Sequence, residues 1–338
     1  MIDQQTREVI AEALRTVRPM VVQSKEGLVL TALEWAPAGG TAEAGYESAS
    51  VAAKSGDLEL REQGGGNVPS IEAVTKTKPV VIFAGDSVVG GKQNRIINVT
   101  VWLPAAAVTA IPVSCLEMGR WNQGYRFETS RKVDYLLRAE MSRQMADVAV
   151  HEEQMALHQG PSGAPARRSF MADQGGVWSS ISAKEVRAGH HSPSSALHDL
   201  YASESTDIAE FARAFPCPTG AAGVAVGIGG VLVALELFDA PSTLAEQWPR
   251  LVEGAASAYA DYRRSIVAGV AEQPRHRYPD AGAIGRMLER AVAAAPQAIV
   301  GKSVGEGQDL RLSGHKIRGG ALVVDGRPVH LELFRVPA

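Results

Sequence analysis

The chain has 338 residues, enough for one large domain or two ordinary ones, with 45% hydrophobic and 21% charged residues, the balance of a globular protein. A formal net charge of -3 provides no global basic field for nucleic acid, and two cysteines, Cys115 and Cys217, cannot build a disulfide framework or a cysteine-only zinc site. The N-terminus carries acids without a continuous apolar core, and no run approaches the roughly 20 apolar residues of a membrane span. A cytoplasmic protein is expected, with no membrane, nucleic acid, metal or cofactor.

In chain order, Val9, Ile10, Ala13, Leu14 and Val17 recur at helical spacing and predict an amphipathic helix over 3–17. Short β-rich runs follow at Leu28–Trp35, Leu58–Glu62, Val68–Val74 and Val80–Ala84, separated by turn residues, with a short helix at Glu47–Lys54. Asn94–Leu103 and Ile111–Met118 are further strands. The gaps are too short for crossover helices, so a meander or small barrel is expected. From Ser130 to about Met155 the pattern turns helical, and 160–168 reads as a mobile loop. DQGGVW follows at 173–178, where Asp173 can cap a short helix, and then a loop, HHSPSS, at 190–195. Ser205 and Thr206 can cap a helix through Phe215, which Pro216 and Pro218 end. Ala221–Phe238 reads as a strand pair, Ser242–Val267 and Ala281–Ala295 as helices, and Leu310–Leu312, Ala321–Val324 and Val329–Phe334 as closing strands. The fold class is α+β: a β-rich sheet or partly open barrel with several flanking helices. It forms a single domain, with two possible lobes at 18–128 and 129–338.

The second lobe contains two similar hairpins, 227–238 and 325–334. Gly229-Gly230 precedes VLVALELF, and Asp325-Gly326 precedes RPVHLELF. Both dipeptides supply the positive φ of tight hairpin turns. The pair reads either as a duplicated β module with a ligand cleft between copies or as two ordinary hairpins with chance identity. Glu236 and Glu332 alternate with leucines, so each should point away from the leucine face, to solvent or a neighbouring strand.

Residues 85–121 concentrate polar side chains beside apolar runs, the composition of a ligand site. The pattern G-D-x-x-x-G-x-K-Q-N-R-x-x-N, followed by I-P-V-S-C-x-E-x-G-R-W, resembles the ADP-ribosylglycohydrolase- and rhodanese-phosphatase-associated protein domain family. DQGGVW, GIGGVLVALELF and the terminal VHLELF resemble it too, so the likeness spans most of the chain. By association alone, the resemblance implies a nucleotide- or ADP-ribose-related role.

The residues carry their own chemistry. In Gly90-Gly91-Lys92-Gln93-Asn94-Arg95, the glycines permit a tight turn, Lys92 and Arg95 offer positive charge, and Gln93 and Asn94 offer donors and acceptors, a combination suited to an anion. The alternative is a hairpin turn in which Arg95 and Asn98 satisfy neighbouring backbone. Strand alternation puts Val113, Cys115 and Glu117 on one face. Cys115 is then a candidate nucleophile, which a neighbouring carboxylate would hinder, or an inert buried thiol. Glu117 is a candidate general acid or base, or half of an ion pair with Arg95 or Arg120. Trp121 can stack on a ring or close the core. Gln174 and Trp178 are candidates mainly because the resemblance implies it, with the Gly-Gly break beside them reading as a site loop. His151 and His158 are too far apart for a metal pair. His190, His191 and His198 match no ligand spacing, and His330 reads as a satisfied sheet residue.

The expected function is binding of an anionic, nucleotide- or ADP-ribose-like molecule, and its hydrolysis if the protein is an enzyme, with Glu117 as acid/base and Arg95 or Arg120 on phosphate. A second expectation is a sensor or scaffold whose Leu136, Leu137, Met141 and Met145 stripe lies on a helix that docks a protein partner or a second copy. A third is a biosynthetic transferase or ligase.

Overall fold

A computed structural model of the chain describes residues 2–36, 44–121, 124–159, 170–273, 278–280 and 282–337. Its first part contains α1 (Ile2–Thr16), β1 (Arg18–Lys25), β2 (Leu28–Glu34), β3 (Glu47–Ser48), α2 (Ala49–Ser55), β4 (Leu58–Glu62), β5 (Ser70–Thr75), β6 (Val80–Ile82), β7 (Asp86–Gly90), β8 (Arg95–Ile97), β9 (Val101–Leu103), β10 (Val108–Cys115) and β11 (Arg126–Lys132). Four helices follow, α3 (Tyr135–Gln159), α4 (Gln174–Ala188), α5 (Leu197–Ser203) and α6 (Ser205–Ala212). The chain then forms β12 (Gly223–Ile228), β13 (Val231–Phe238), α7 (Pro241–Val267), α8 (Ala283–Ala294), β14 (Ile299–Lys302), β15 (Gln308–Gly314), β16 (Ile317–Val324) and β17 (Arg327–Arg335). The class is α+β.

Two β-bodies organise these elements. An antiparallel sheet of eight strands runs in the order β1-β2-β12-β13-β17-β16-β15-β14, and β10-β5-β4-β11-β7-β8 close into a barrel. The barrel is therefore closed rather than partly open. A small sheet, β3-β6-β9, adjoins them. The sheets do not respect the lobe boundary drawn from the sequence, because β1 and β2 pair through β12 into the eight-stranded sheet rather than with the barrel.

The large sheet is buried on both faces. Leu33, Leu235, Leu237, Leu331 and Leu333 pack against Ile10 and Leu14 of α1 and Met287 and Ala291 of α8. Each such leucine is worth roughly 1.5–3 kcal/mol when fully buried. On the other face Ala234, Phe238 and Phe334 meet Phe83, Tyr135 and the apolar side of α7, including Trp248, Leu251 and Ala255. The barrel interior, with Leu58, Leu60, Ile71, Val88, Ile97, Ile111, Val113 and Phe127, is continuous with residues of α3, α4 and α5.

Several elements differ from the sequence reading. Residues 94–103 form two short strands, β8 and β9. The helix expected from Ser130 starts at Tyr135, because 126–132 is needed as the barrel strand between β4 and β7. Strand β1 carries no alternation, since it is a mostly exposed sheet edge. Glu47 and Ser48 pair with β6 before α2 begins. The helix expected over 205–215 is α6, preceded by α5, and Ser205 does not cap it: its hydroxyl donates to the Ala202 carbonyl. Asp173 does cap α4, accepting the N–H groups of Gly175 and Gly176, so the glycines occupy a first helical turn rather than a loop. The expected loop at 160–168 lies outside the described residues. The α3 stripe is used internally: Leu137, Met141 and Met145 belong to the barrel-side core and Leu136 packs on the sheet-side core.

Both hairpin turns have the backbone expected of them, with φ of 56° and 78° at Gly229-Gly230 and 49° and 73° at Asp325-Gly326. Their second strands, β13 and β17, lie side by side, so that LELF pairs with LELF: Leu235 with Leu333, Glu236 with Glu332, Leu237 with Leu331. The two hairpins are thus related by a local two-fold axis between Glu236 and Glu332.

Candidate functional site

One end of the barrel gathers the polar residues of the 85–121 block. Arg95 pairs with Cys115 across β8 and β10 and with Val88 across β7, so the three share one face. Glu62 closes β4 on the same buried pattern as Leu58 and Leu60. Gly91, at φ 50°, lets the turn after β7 pass close over this end, since a side chain there would overlap the Phe127 ring and crowd Glu62. The Lys92 N–H donates to Glu62 Oε1 at 2.6 Å.

The cluster is knitted by Gln93 and Asn94. Gln93 Nε2 donates to the Glu117 carbonyl at 3.1 Å, while its Oε1 accepts from Arg95 Nη1 and from the Cys115 thiol, both at 3.3 Å. Asn94 Oδ1 accepts from the Gly90 N–H and from Arg120 Nη2. Gln174, 59 residues beyond Cys115, makes a two-bond clasp on the Cys115 backbone, accepting from its N–H at 2.7 Å and donating to its carbonyl at 2.9 Å. The 85–121 block and the start of α4 therefore meet. Trp178, one turn further along α4, has a buried Nε1 without a hydrogen-bond partner among the described residues. Asn98, also buried, donates to the Phe170 carbonyl at 2.9 Å. Half-buried Lys92 and exposed Trp121 form the rim, with the Lys92 ammonium 4.9 Å from the Trp121 ring.

Electrostatics assigns different states to the two catalytic candidates. Burial pushes the Cys115 thiol up; Arg95 counters this, while Glu62 and Glu117 add to it. The thiol stays protonated and donates to Gln93, the opposite of an activated nucleophile. Burial would also raise Glu117, but Arg120 at 2.7 Å, the Asn94 N–H and the Ser194 hydroxyl outweigh it and hold the carboxyl below its usual range. Glu117 is thus an ion-paired carboxylate, with both oxygens accepting hydrogen bonds. The Ser194 contact comes from the HHSPSS loop, whose Ser194 carbonyl also accepts from the Met118 and Gly119 N–H groups. Sequence reasoning did not connect that loop to the site, and no local spacing signalled it.

Arg95 stands apart. It is fully buried, yet its Nε and Nη2 have no hydrogen-bond partner among the described residues, and Glu62 Oε2 is a buried acceptor in the same condition.

A second polar cluster, unmarked in the sequence reading, lies between the barrel and the sheet. Glu236 and Glu332 do not face solvent: they are buried, as are Lys132, Arg138 and His330. Lys132 bridges Asp86 at 3.4 Å and Glu236 at 3.0 Å, and Arg250 joins Asp86 at 3.3 Å. Tyr135 donates to Glu236 Oε2, and His330 Nε2 lies 3.1 Å from Glu236 Oε1. Burial would raise Glu236, but Arg138, Lys132 and His330 hold it well below the ordinary carboxylate range. The available signal was a charged residue repeated inside two leucine-rich strands. Among the described residues no three His, Cys, Asp or Glu side chains come together as a metal site, and no helix is long and apolar enough to cross a membrane.

Fold and clusters together define an α+β protein with a closed six-stranded barrel, plugged at one end by polar side chains and joined to a two-sided antiparallel sheet through buried ion pairs. The chain belongs to the family described as the ARG and Rhodanese-Phosphatase-superfamily-associated Protein domain, which matches residues 16–334. No curated protein and no solved structure matches it.

Proposed function

We propose that this protein binds a small anionic ligand at the polar end of the barrel, with Arg95 as the anion-binding residue and Gln93, Asn94, Lys92, Arg120 and Trp121 around it. One observation carries the reading: a fully buried guanidinium with two nitrogens, Nε and Nη2, left without acceptors among the described residues. Buried donors are nearly always paired, because an unpaired one costs about 1–3 kcal/mol and more when charged. A phosphate or carboxylate satisfies two such donors together. The unpartnered Glu62 Oε2 supplies an acceptor for a ligand hydroxyl, so the combination suits a sugar phosphate. The family description adds an association with ADP-ribose chemistry, which makes ADP-ribose and nucleotides the first ligands to try. Hydrolysis is the lesser part of the proposal, since Glu117 would have to leave Arg120 and Ser194 to act as a base.

Calorimetric titration of wild type and Arg95→Met with ADP-ribose, ADP, ribose 5-phosphate and inorganic phosphate tests the reading. Binding in wild type and none in Arg95→Met is expected. Arg95→Met should melt at or above the wild-type temperature, because an unpaired buried cation is replaced by an apolar chain of similar length. Absence of binding by all four ligands to wild type, with Arg95→Met melting far lower, would make Arg95 a structural residue and end the proposal.

A further inference from the structure

We infer that the large sheet is two fused copies of one module, a helix and four strands, with the barrel and its helices inserted into the first copy. The sheet face on the two-fold axis is the surface on which this insert docks, through a guanidinium. The first copy comprises α1, β1, β2, β12 and β13, and the second α8, β14, β15, β16 and β17. From the central β13–β17 pair the copies run outward in matching order, β13-β12-β2-β1 on one side and β17-β16-β15-β14 on the other.

The likeness extends well beyond the LELF strands. Gly223 and Gly319 stand at the same offset as Glu236 and Glu332. A Cβ on Gly223 would overlap Leu237 and the Glu236 carbonyl oxygen, and one on Gly319 would overlap Leu333 and the Glu332 carbonyl oxygen. Leu33 lies opposite Gly223, and Leu312 lies opposite Gly319. Both hairpin ladders shift register at the same step, between Val226 and Gly227 in one and between Leu322 and Val323 in the other. A bulge marks one particular place in a ladder, so its recurrence at one offset, beside the same glycine contact, is not explained by two unrelated hairpins. Helices α1 and α8 each precede the outermost strand of their copy, and both pack into one core on one face of the sheet.

The copies differ at one connection. Strand β15 reaches β16 through the turn at His315 and Lys316, where Lys316 has a φ of 59°. Strand β2 reaches β12 only after the barrel, the small sheet and helices α2 to α6. The chain nevertheless leaves and re-enters the large sheet at one point, because the Ala222 N–H donates to the Leu33 carbonyl at 2.9 Å. The intervening chain is thus spliced into a sheet whose ladder stays intact.

Duplication sets Glu236 and Glu332 astride the axis as counterparts, both facing the insert. Two adjacent carboxylates suit a cation that spans them. A guanidinium is a planar fork that does so, whereas an ammonium is a point charge. Arg138 of the insert lies 2.9 Å from Glu236 and 2.8 Å from Glu332. Lys132 and Tyr135, also from the insert, add contacts to Glu236. The copies have diverged where the insert touches them: His330, the counterpart of Ala234, lies 2.8 Å from Thr100 of the insert.

Hydrogen exchange of the full-length wild type in increasing urea tests the arrangement strand by strand. Strands β2, β12 and β13 are expected to open in one step with β15, β16 and β17, separately from the barrel strands β4, β5 and β10. Opening of β2 with the barrel, or of every strand in a single step, overturns the insertion. Arg138→Lys keeps the charge and loses the fork, so the insert should open at least about tenfold more often, as expected for a lost charge-assisted hydrogen bond. Unchanged exchange in Arg138→Lys overturns docking through the guanidinium. Gly223→Ala and Gly319→Ala should each speed exchange through both copies, and an effect confined to the substituted copy overturns the fused pair. None of these outcomes turns on ligand binding at Arg95.

Discussion

Glu236 and Glu332 stand directly opposite each other across β13 and β17, and one guanidinium, Arg138, reaches both, with Nη1 2.9 Å from Glu236 and Nη2 2.8 Å from Glu332. Two carboxylates paired across a buried sheet repel, and α3 supplies the cation that makes the arrangement tolerable. The same helix packs on the barrel-side core, so this contact ties the two β-bodies together.

Removing that cation should be costly. Arg138→Met is expected to lower stability by about 3–5 kcal/mol at pH 7, the usual cost of stranding a buried charge. Adding Glu332→Gln to it should recover part of the loss, because Glu236 keeps Lys132 while Glu332 no longer needs a partner. Urea denaturation of the three proteins measures both effects. Equal midpoints for wild type and Arg138→Met would contradict the assignment.

The pH dependence has a definite sign. Glu236 and Asp261 are both held below their ordinary values: burial opposes this, but Arg138 and Lys132 prevail at Glu236, and Arg187 and Lys184 at Asp261. A carboxyl with a depressed folded pKa stabilises fully above its unfolded value and loses that contribution as pH falls through the folded one. Stability should therefore decline below about pH 4, where the unfolded chain takes up protons first. Denaturation midpoints from pH 7 to 3 should show the decline, and Glu236→Gln should flatten it.

Asp239 behaves in the opposite way. Burial pushes its carboxyl up to about 6, against the Tyr46 hydroxyl that donates to it at 2.7 Å. An acid with a raised folded pKa is a burden above that value and is relieved as it protonates. Asp239→Asn, which keeps an acceptor for Tyr46, should stabilise the protein at pH 8 by at most about 3 kcal/mol. The advantage should vanish near pH 4. An Asn variant less stable than wild type at pH 8 would show that the carboxylate is needed in its charged form.

The two cysteines should report their surroundings. Cys115 is buried and protonated, whereas Cys217 is exposed. A disulfide reagent at pH 8 is expected to modify Cys217 rapidly in the native protein and Cys115 only after denaturation. Rapid native modification of Cys115 would mean that the barrel end opens on the timescale of the assay.

How much was legible in the sequence depends on how local the cause was. Helix α1 could be read because one apolar stripe meets one core. The hairpin turns could be read because Gly229-Gly230 and Asp325-Gly326 carry their own backbone preference. The 85–121 block could be singled out because polar residues interrupt apolar strands. Strands β7 and β11 were not visible, since a barrel strand of five or seven residues is defined by its neighbours and not by its own pattern. Glu236 points away from the leucines as its alternation requires, but alternation could not choose between solvent and a buried surrounding, because it identifies a face without saying what covers it.

Sequence by itself determined the α+β class, the turns, the leucine face of the sheet and the polar make-up of the 85–121 block, all set by interactions within a few residues. Only the tertiary structure decided that Gln174 clasps Cys115, that Arg95 is buried with donors to spare, and that Thr100 meets His330. Those relationships join residues between 59 and 230 positions apart, and a buried charge acquires its state from partners that only the closed barrel and the two-sided sheet bring within reach.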